Sequence, residues 1–387
     1  LLRPYLRLRY GYRRPKALAV RKLRGPIVVL GNHASNLDFL FAIVALFPKR
    51  MNFLVSAHFF NQKPLCYLLR IAQCVRKTQF TADVAAIRDM HTLVSEGGSI
   101  LLYPEGEVNG IGRTGDFSES TARLCKLLRV PVYAVRTKGS YLTRPKWGPG
   151  RRRGRIETDI SCVAAAEELP TLANDALYAR IRAGIFQDEY AWQEKARIPF
   201  RAKRPAEGLH LLLYRCPKCG AEFTTRTQGC EIFCTACGNR GIMDAYGFLS
   251  SKGADAVIPP SPLAWVDLQC AALQEEMRAP DYRLTARCCL QYHLNEHALD
   301  HVDVGEGIVT LDRSGISYEG TAEGAPLAFH YPLSDFYKLP FAPGRRFELP
   351  PAPRVTAIRT LEPAAIWKFV LALPLLQQAT RKAPENI

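Results

Sequence analysis

No apolar run in this chain reaches the roughly 18–20 residues that a bilayer-spanning helix requires. The longest clean one, Phe39 to Phe47, has nine residues and predicts a core helix. No secretory signal-peptide pattern opens the chain, which begins at Leu1. With no such pattern, the twelve cysteines predict a reducing, cytoplasmic compartment and argue against a disulfide framework. No internal repeat or low-complexity tract occurs, which argues against a repeat array. Residues 1–24 contain no Asp or Glu at all, against nine Lys/Arg.

What is present is unevenly placed. At 387 residues the chain predicts two or three domains. Residues 1–155 carry 28 Lys/Arg against 8 Asp/Glu, and residues 156–387 carry 24 against 28, so the net +16 belongs to the N-terminal half. The nine cations of residues 1–24 are interleaved with Leu1, Leu2, Tyr5, Leu6, Leu8, Tyr10 and Tyr12. That mixture suits an interfacial segment on an anionic membrane surface. A solvated basic arm and a nucleic-acid arm are the alternatives.

Residues 26–160 alternate short apolar runs with amphipathic stretches, 52–55, 84–95 and 119–129 among them, the pattern of an α/β domain. Two of the runs end in polar turns. Pro26–Leu30 leads into Gly31-Asn32-His33-Ala34-Ser35-Asn36-Leu37-Asp38, and Ser99–Tyr103 leads into Pro104-Glu105-Gly106. Such turns predict a cleft at the carboxyl edge of the sheet. A histidine near neutral pKa can serve as general base, and an aspartate five residues on can orient it. On one continuous helix that spacing leaves the two about 140° apart. Residues 33–37 must therefore form a turn, with the helix starting near Asp38 and Ser35 or Asn36 as its N-cap. The helix N-terminus would then offer amides to a developing oxyanion.

Four motifs stand in order: His33 with Asp38, Arg76-Lys77, Pro104-Glu105-Gly106, and Val130-Pro131-Val132. The set resembles the glycerolipid acyltransferase family, with its H-x4-D, arginine, P-E-G and V-P-V blocks, over roughly residues 1–195. The resemblance implies a membrane-associated enzyme that esterifies a lysophospholipid hydroxyl, as on lysophosphatidic acid, from acyl-CoA or acyl carrier protein. It implies His33 and Asp38 as catalytic residues. Arg76, Glu105 and Gly106 would bind the acceptor, with Lys77 and Arg113 as second choices. It also implies a peripheral position on the inner face of the cell membrane. The family's P-E-G block usually continues with threonine and arginine, whereas here Glu107, Val108 and Asn109 follow, and Glu107 would repel an acceptor phosphate. Pro-Glu-Gly-x-Val-Asn resembles instead the tafazzin branch, which moves acyl chains between phospholipids.

The second half carries Cys216-Pro-Lys-Cys219-Gly and, fourteen residues on, Cys234-Thr-Ala-Cys237-Gly. Two such knuckles predict one structural zinc ion, Zn2+, held by Cys216, Cys219, Cys234 and Cys237 on a small ribbon. Cys230 reads as a bystander. His293, His297 and His301 lack a supporting carboxylate pattern and read as structural.

The expected organisation is a basic segment (1–24), an α/β acyltransferase domain (25–195), a linker (196–209), a zinc ribbon (210–243) and a β-rich domain (244–387). Leu172 to Trp192 reads as one helix. The β-rich domain is expected to run through short strands, Gly307–Leu311 and Phe336–Leu339 among them, to a final helix at Glu362–Gln378 that Pro374 kinks or ends. This element order resembles a pleckstrin-homology or GRAM barrel; its partner is not indicated. A zinc-ribbon adaptor with a degenerate acyltransferase half is the alternative of a different class. It is the poorer one, because only Arg226 is basic between Cys219 and Cys234. No nucleic acid is expected.

Overall fold

The computed structural model describes residues 2–15, 23–77, 83–293, 301–350 and 356–382. They form two compact units: residues 1–146, 150–202 and 245–247, and residues 147–149, 203–244 and 248–387.

The first unit is α/β. Its elements are α1 (Leu2–Tyr10), β1 (Val28–Gly31), α2 (Asp38–Leu46), β2 (Asn52–Ser56), α3 (Leu65–Ile71), β3 (Val75–Lys77), α4 (Val84–Ser95) and β4 (Ile100–Leu102). They continue with α5 (Ser120–Leu128), β5 (Val132–Lys138), α6 (Ser140–Thr143), β6 (Glu157–Ala164), α7 (Asn174–Ile185) and α8 (Glu189–Ala196). The sheet order is β3-β2-β4-β1-β5-β6. β1 pairs in parallel with both β4 and β5, while β6 runs antiparallel to β5.

The central strands are buried on both faces, as parallel strands between helices must be. Val28, Leu30, Ile100, Leu102, Val132 and Ala134 pack on one side with residues of α4, α5 and α7. Ile27, Val29, Leu101 and Val135 pack on the other with Ala42 and Leu46 of α2. The topology brings the turns after β4, β1 and β5 side by side at one sheet edge.

Three local expectations change. Leu6 and Tyr12 of the basic segment are buried against Phe41 and Val44 of α2, so they face the domain core and not a lipid interface. The Tyr12 hydroxyl also donates to the Phe41 carbonyl at 3.0 Å. Leu172–Trp192 is not one helix: Phe186 and Asp188 are extended, and the Asp188 carboxylate caps α8 through the amides of Tyr190 and Ala191. Helix α2 does begin at Asp38, but its cap position is Leu37, which makes no side-chain cap hydrogen bond.

The second unit contains a four-stranded antiparallel sheet of β7 (Thr225–Gln228), β8 (Glu231–Cys234), β9 (Arg240–Met243) and β10 (Leu249–Ser251). After α9 (Pro262–Glu276) come β11 (Leu284–His293), β12 (His301–Leu311), β13 (Gly315–Ala322), β14 (Ala325–Pro332), β15 (Phe341–Ala342), β16 (Arg346–Leu349), β17 (Thr356–Thr360) and α10 (Ala365–Lys382). These strands make one antiparallel sheet, ordered β14-β13-β12-β11-β17-β16-β15. Phe336–Leu339 forms no strand; a 3-10 turn at Leu333–Asp335 precedes it, and Pro340 has no N–H to give a ladder. Pro374 lies inside α10, which runs on through it to Lys382. His293 and His301 are cross-strand neighbours of β11 and β12, with ring centroids 3.9 Å apart. His297 lies outside the described residues.

Within this unit the knuckle region is tied to the two helices by charge. Lys368 of α10 is buried and donates to Glu222 at 2.7 and 2.8 Å, and it lies 3.4 Å from Glu276 of α9. Arg215 pairs with the same two carboxylates.

Candidate active site and four-cysteine cluster

His33 lies just past β1, at the carboxyl edge of the sheet. Its Nδ1 is 3.2 Å from Asp38 Oδ2. The turn that sequence geometry required is built by Asp38 itself. Its Oδ2 accepts the amides of Ala34 and Ser35 at 2.6 and 2.8 Å, folding 33–37 back over the start of α2. Its Oδ1 accepts the Ser140 hydroxyl at 2.6 Å. Asp38 is thus fully buried with both oxygens occupied as acceptors, the arrangement that suits a carboxylate. An Nδ1–H donated to Oδ2 leaves Nε2 as the ring's acceptor.

The imidazole is held by its backbone as well. The His33 amide donates to Glu105 Oε1 at 2.6 Å, and the His33 carbonyl accepts the Asn109 backbone and side-chain N–H groups at 2.8 and 3.1 Å. Glu105 Oε2 accepts the Gly115 amide at 2.8 Å. The Tyr103 ring stacks on His33, with centroids 4.5 Å apart and planes 18° from parallel. Gly31 makes room for that stack, because a Cβ there would lie 2.6 Å from Tyr103 Cε1. Burial pushes the Tyr103 phenol well above its ordinary pKa, and the Asp38 charge adds to this.

A second carboxyl lies behind the pair. Glu189 is buried and accepts the Gly139 amide with both oxygens, at 3.0 and 2.8 Å. Burial pushes its pKa up to about 8 against the opposing Gly139 hydrogen bond, and the charges of Asp38 and Asp188 push the same way.

The predicted residues separate into groups. His33, Asp38 and Glu105 come together. Glu105 faces inward and holds two loop amides, so its carboxylate is a brace for His33. Gly106 is exposed at φ +75°, with nothing within 4 Å of a Cβ position. Its glycine therefore serves the turn closed by its amide on the Tyr103 carbonyl, not a close approach. Arg76 and Lys77 are exposed on β3, three strands from β1 and so roughly 14 Å away at ordinary strand spacing. Arg113 pairs by backbone with Asp188. Glu107 is neutralised by Lys146 at 3.3 Å, which removes the expected repulsion of an anionic acceptor. The amides of Ala34, Ser35, Leu37 and Asp38 are all engaged within the turn, so these four do not face an oxyanion.

Sequence reasoning missed Ser140, Asn109, Tyr103 and Glu189. Asn109 registered only as a departure from a motif. Ser140 had one available signal: it follows the carboxyl end of a third strand, where ligand-facing groups of α/β sheets collect.

In the second unit the Sγ atoms of Cys216, Cys219, Cys234 and Cys237 all lie within 4.8 Å of one another. Cys216 and Cys237 are 3.7 Å apart, and Cys219 and Cys234 are 3.9 Å apart. Four thiolates about 2.3 Å from a tetrahedral ion have edges of about 3.8 Å, so the donor set fits such an ion. Gly220 and Gly238, at φ +73° and +71°, turn each knuckle, and their amides reach the carbonyls of Cys216 and Cys234 at 3.0 Å. Cys230 is exposed and outside the cluster.

Residues 13–138 match the family model described as Acyltransferase, a span that holds β1 to β5 with His33, Asp38, Tyr103 and Glu105. The matched residues are about a third of the chain and all lie within the α/β unit, which is thus similar to that family over this span. No curated protein matches the chain. Among solved structures, the 1-acyl-sn-glycerophosphate (LPA) acyltransferase PlsC from Thermotoga maritima is 21% identical, with a TM-score of 0.39, over 47% of this chain and 73% of that one. Among the described residues, no helix is long and apolar enough to cross a membrane.

Proposed function

We propose that the first unit transfers an acyl chain from a thioester, on coenzyme A or acyl carrier protein, to the hydroxyl of a lysophospholipid. The observation that carries this is the His33–Asp38 contact at 3.2 Å, with Asp38 buried and both its oxygens filled. Nε2 of His33 takes the proton from the acceptor hydroxyl as its oxygen attacks the thioester carbonyl. The imidazolium that forms is stabilised by Asp38 and returns the proton to the leaving thiolate. The acceptor hydroxyl occupies the place a serine has in a triad, so no acyl-enzyme is needed. Asp38 holds the tautomer, while Glu105, Asn109 and the Tyr103 ring hold the imidazole in place.

An acceptor phosphate is met by Arg76, with Lys77 and Arg113 as further cations. A lysophosphatidic acid-like acceptor fits better than motif reading suggested, because the Glu107 charge is matched by Lys146. Asn109, which likened the segment to the tafazzin branch, is here a support for His33 and says little about the acceptor. In the second unit the four thiolates hold one structural zinc ion. A closed four-thiolate site has no open coordination position, so the metal shapes the knuckles without reacting. The exposed cations of residues 2–15 meet anionic lipid, with Tyr5 and Leu8 as the exposed apolar residues of α1.

The test is product analysis. Full-length protein is incubated with labelled lysolipids of different headgroup, together with acyl-CoA or acyl carrier protein. The reading expects a diacyl product from at least one phosphate-bearing acceptor and none with His33→Ala. Transfer by His33→Ala at the wild-type rate would end it.

A further inference from the structure

From residue 39 to residue 82 the chain has no acidic residue, yet it holds Lys49, Arg50, Lys63, Arg70, Arg76 and Lys77. Within this stretch α3 has an inverted surface. Only Cys66 of its seven residues is buried, while Tyr67, Leu68 and Ile71 are 51%, 61% and 74% exposed. At 100° per residue those three lie within an arc of about 100°, so they form one apolar face. A surface helix ordinarily turns such a face inward. Here Lys63 and Arg70 are exposed beside it, and Arg50 donates to the Ile71 carbonyl at 3.2 Å, at the carboxyl end of the helix.

The topology starts this feature at the carboxyl edge of the sheet and carries it to the opposite edge, where Arg50 holds the Ile71 carbonyl and the Asn52 side chain, at the amino end of β2, holds those of Ala72 and Gln73. The 3-10 turn Ala57–Asn61 leaves the carboxyl end of β2, and α3 follows it directly. β2 lies two strands from β1 in the sheet order, roughly 10 Å at ordinary spacing, and β1 leads into His33.

We infer that α3 and its flanking cations form a seat for an anionic phospholipid bilayer, which holds the α/β unit on the membrane that supplies the acceptor. The seat deepens the proposed acyl transfer, on which its link to catalysis rests. The occupant follows from charge. A bilayer takes Tyr67, Leu68 and Ile71 below its headgroups and leaves Lys63, Arg70 and Arg50 at the level of the phosphates. A second copy of this chain docked face to face would set Lys63, Arg70 and Arg50 against their own counterparts, with no acid in residues 39–82 of either copy.

Flotation of the full chain with vesicles tests this, using phosphatidylcholine alone and phosphatidylcholine mixed with phosphatidylglycerol. The expected result is selective binding to the mixed vesicles that falls roughly 100-fold in Leu68→Ser/Ile71→Ser, about tenfold for each apolar side chain withdrawn from the interface. Transfer to a vesicle-embedded acceptor falls in parallel, while transfer to a water-soluble short-chain acceptor stays within about twofold of wild type. Amide exchange of the unaltered protein supplies the second measurement, with protection of residues 63–73 expected on mixed vesicles. Unchanged binding by the double variant, or no protection of 63–73, overturns the seat. A concentration-dependent oligomer that the variant abolishes, with vesicle binding unaffected, overturns it in favour of a copy-to-copy interface. Vesicle binding through α3 by a protein that transfers no acyl chain to any acceptor leaves the seat standing and removes the proposed reaction.

Discussion

The four-cysteine cluster and the His33 site are both announced by spacing, but they are assembled from different distances along the chain. Each knuckle closes within five residues, around a glycine in the left-handed region, and the two knuckles meet across the turns of one small antiparallel sheet. His33 and Asp38 also meet locally, five residues apart. Beyond the amides of Ala34 and Ser35, the groups that steady them come from far away: Glu105 and Asn109 reach His33 from 72 and 76 residues on, and Ser140 reaches Asp38 across 102. A four-thiolate metal site needs only thiolates at the right separation, and an ion can draw them together. General-base catalysis needs one imidazole held in one tautomer and orientation, and only packed neighbours supply that.

The sharpest break of this contrast is at the cysteines. On the proposed zinc, metal analysis should find one ion per chain, lost in Cys216→Ser. Because structural zinc supplies roughly 10–16 kcal/mol of binding free energy, the knuckle region should lose its cooperative melting transition. Transfer should persist in that variant. Transfer lost by a protein whose first unit still melts normally would make the metal more than a structural element.

Next in size is the pair itself. His33→Ala should lower kcat by about 10²–10⁴-fold with zinc content unchanged. Asp38→Asn should cost about 10²-fold or more, because an amide nitrogen must then face either the Ser140 hydroxyl or the amides of Ala34 and Ser35. Steady-state kinetics with a soluble acceptor and a melting curve for each variant separate lost chemistry from lost folding.

A smaller effect sharpens the claim about distant supports. In Glu105→Gln, one oxygen that now accepts an amide N–H becomes an NH2 group facing it. The cost should be about 1–3 kcal/mol of stability, with a fall in kcat greater than the change in KM. Chemical denaturation and kinetics on the same preparation check both. A variant as stable and as active as wild type would show that the brace on His33 is dispensable.

The smallest effect concerns Glu189. Its folded pKa is pushed up to about 8, so between roughly pH 4.5 and 8 the folded protein holds a proton that the unfolded chain has released. Stability from this group is therefore complete below about pH 4.5 and is lost as pH rises through 8, by up to about 1.4 kcal/mol per pH unit. Glu189→Gln should flatten that slope in denaturation series from pH 5 to 9 and change transfer at pH 7 little. An unaltered slope would place the titration elsewhere.

Local patterning carried far in the first unit. Residues 52–55, 84–95 and 119–129 read as strand or helix and appear as β2, α4 and α5 within a residue or two, because each is amphipathic or apolar on the scale of its own element. It failed where a single polar group outweighed periodicity. Asp188 splits Leu172–Trp192 because a capping carboxylate satisfies amides that a continuous helix would have to bond elsewhere. It failed again in the β-rich part, where β12 begins at His301, six residues before the Gly307 start that its short apolar run indicated. Strand length there is set by the partner strand β11, which pairs with it from Leu284 to His293.

By itself the sequence determined which groups can do chemistry: a histidine five residues from an aspartate, four cysteines at knuckle spacing, and a basic half opposed to a mildly acidic one. Those are properties of neighbouring residues, and neighbours remain neighbours in any fold. Tertiary structure alone decided that Glu105 and Asn109 grip the His33 backbone, that Ser140 completes Asp38, and that Lys146 quiets Glu107. It also decided that Leu6 and Tyr12 turn inward while Tyr67, Leu68 and Ile71 turn outward. The physical reason is the order of the sheet. Placing β4 and β5 on either side of β1 sets residues 103–109 and 139–140 around residue 33, a juxtaposition that hydrogen bonding between strands creates and that no stretch of contiguous sequence encodes.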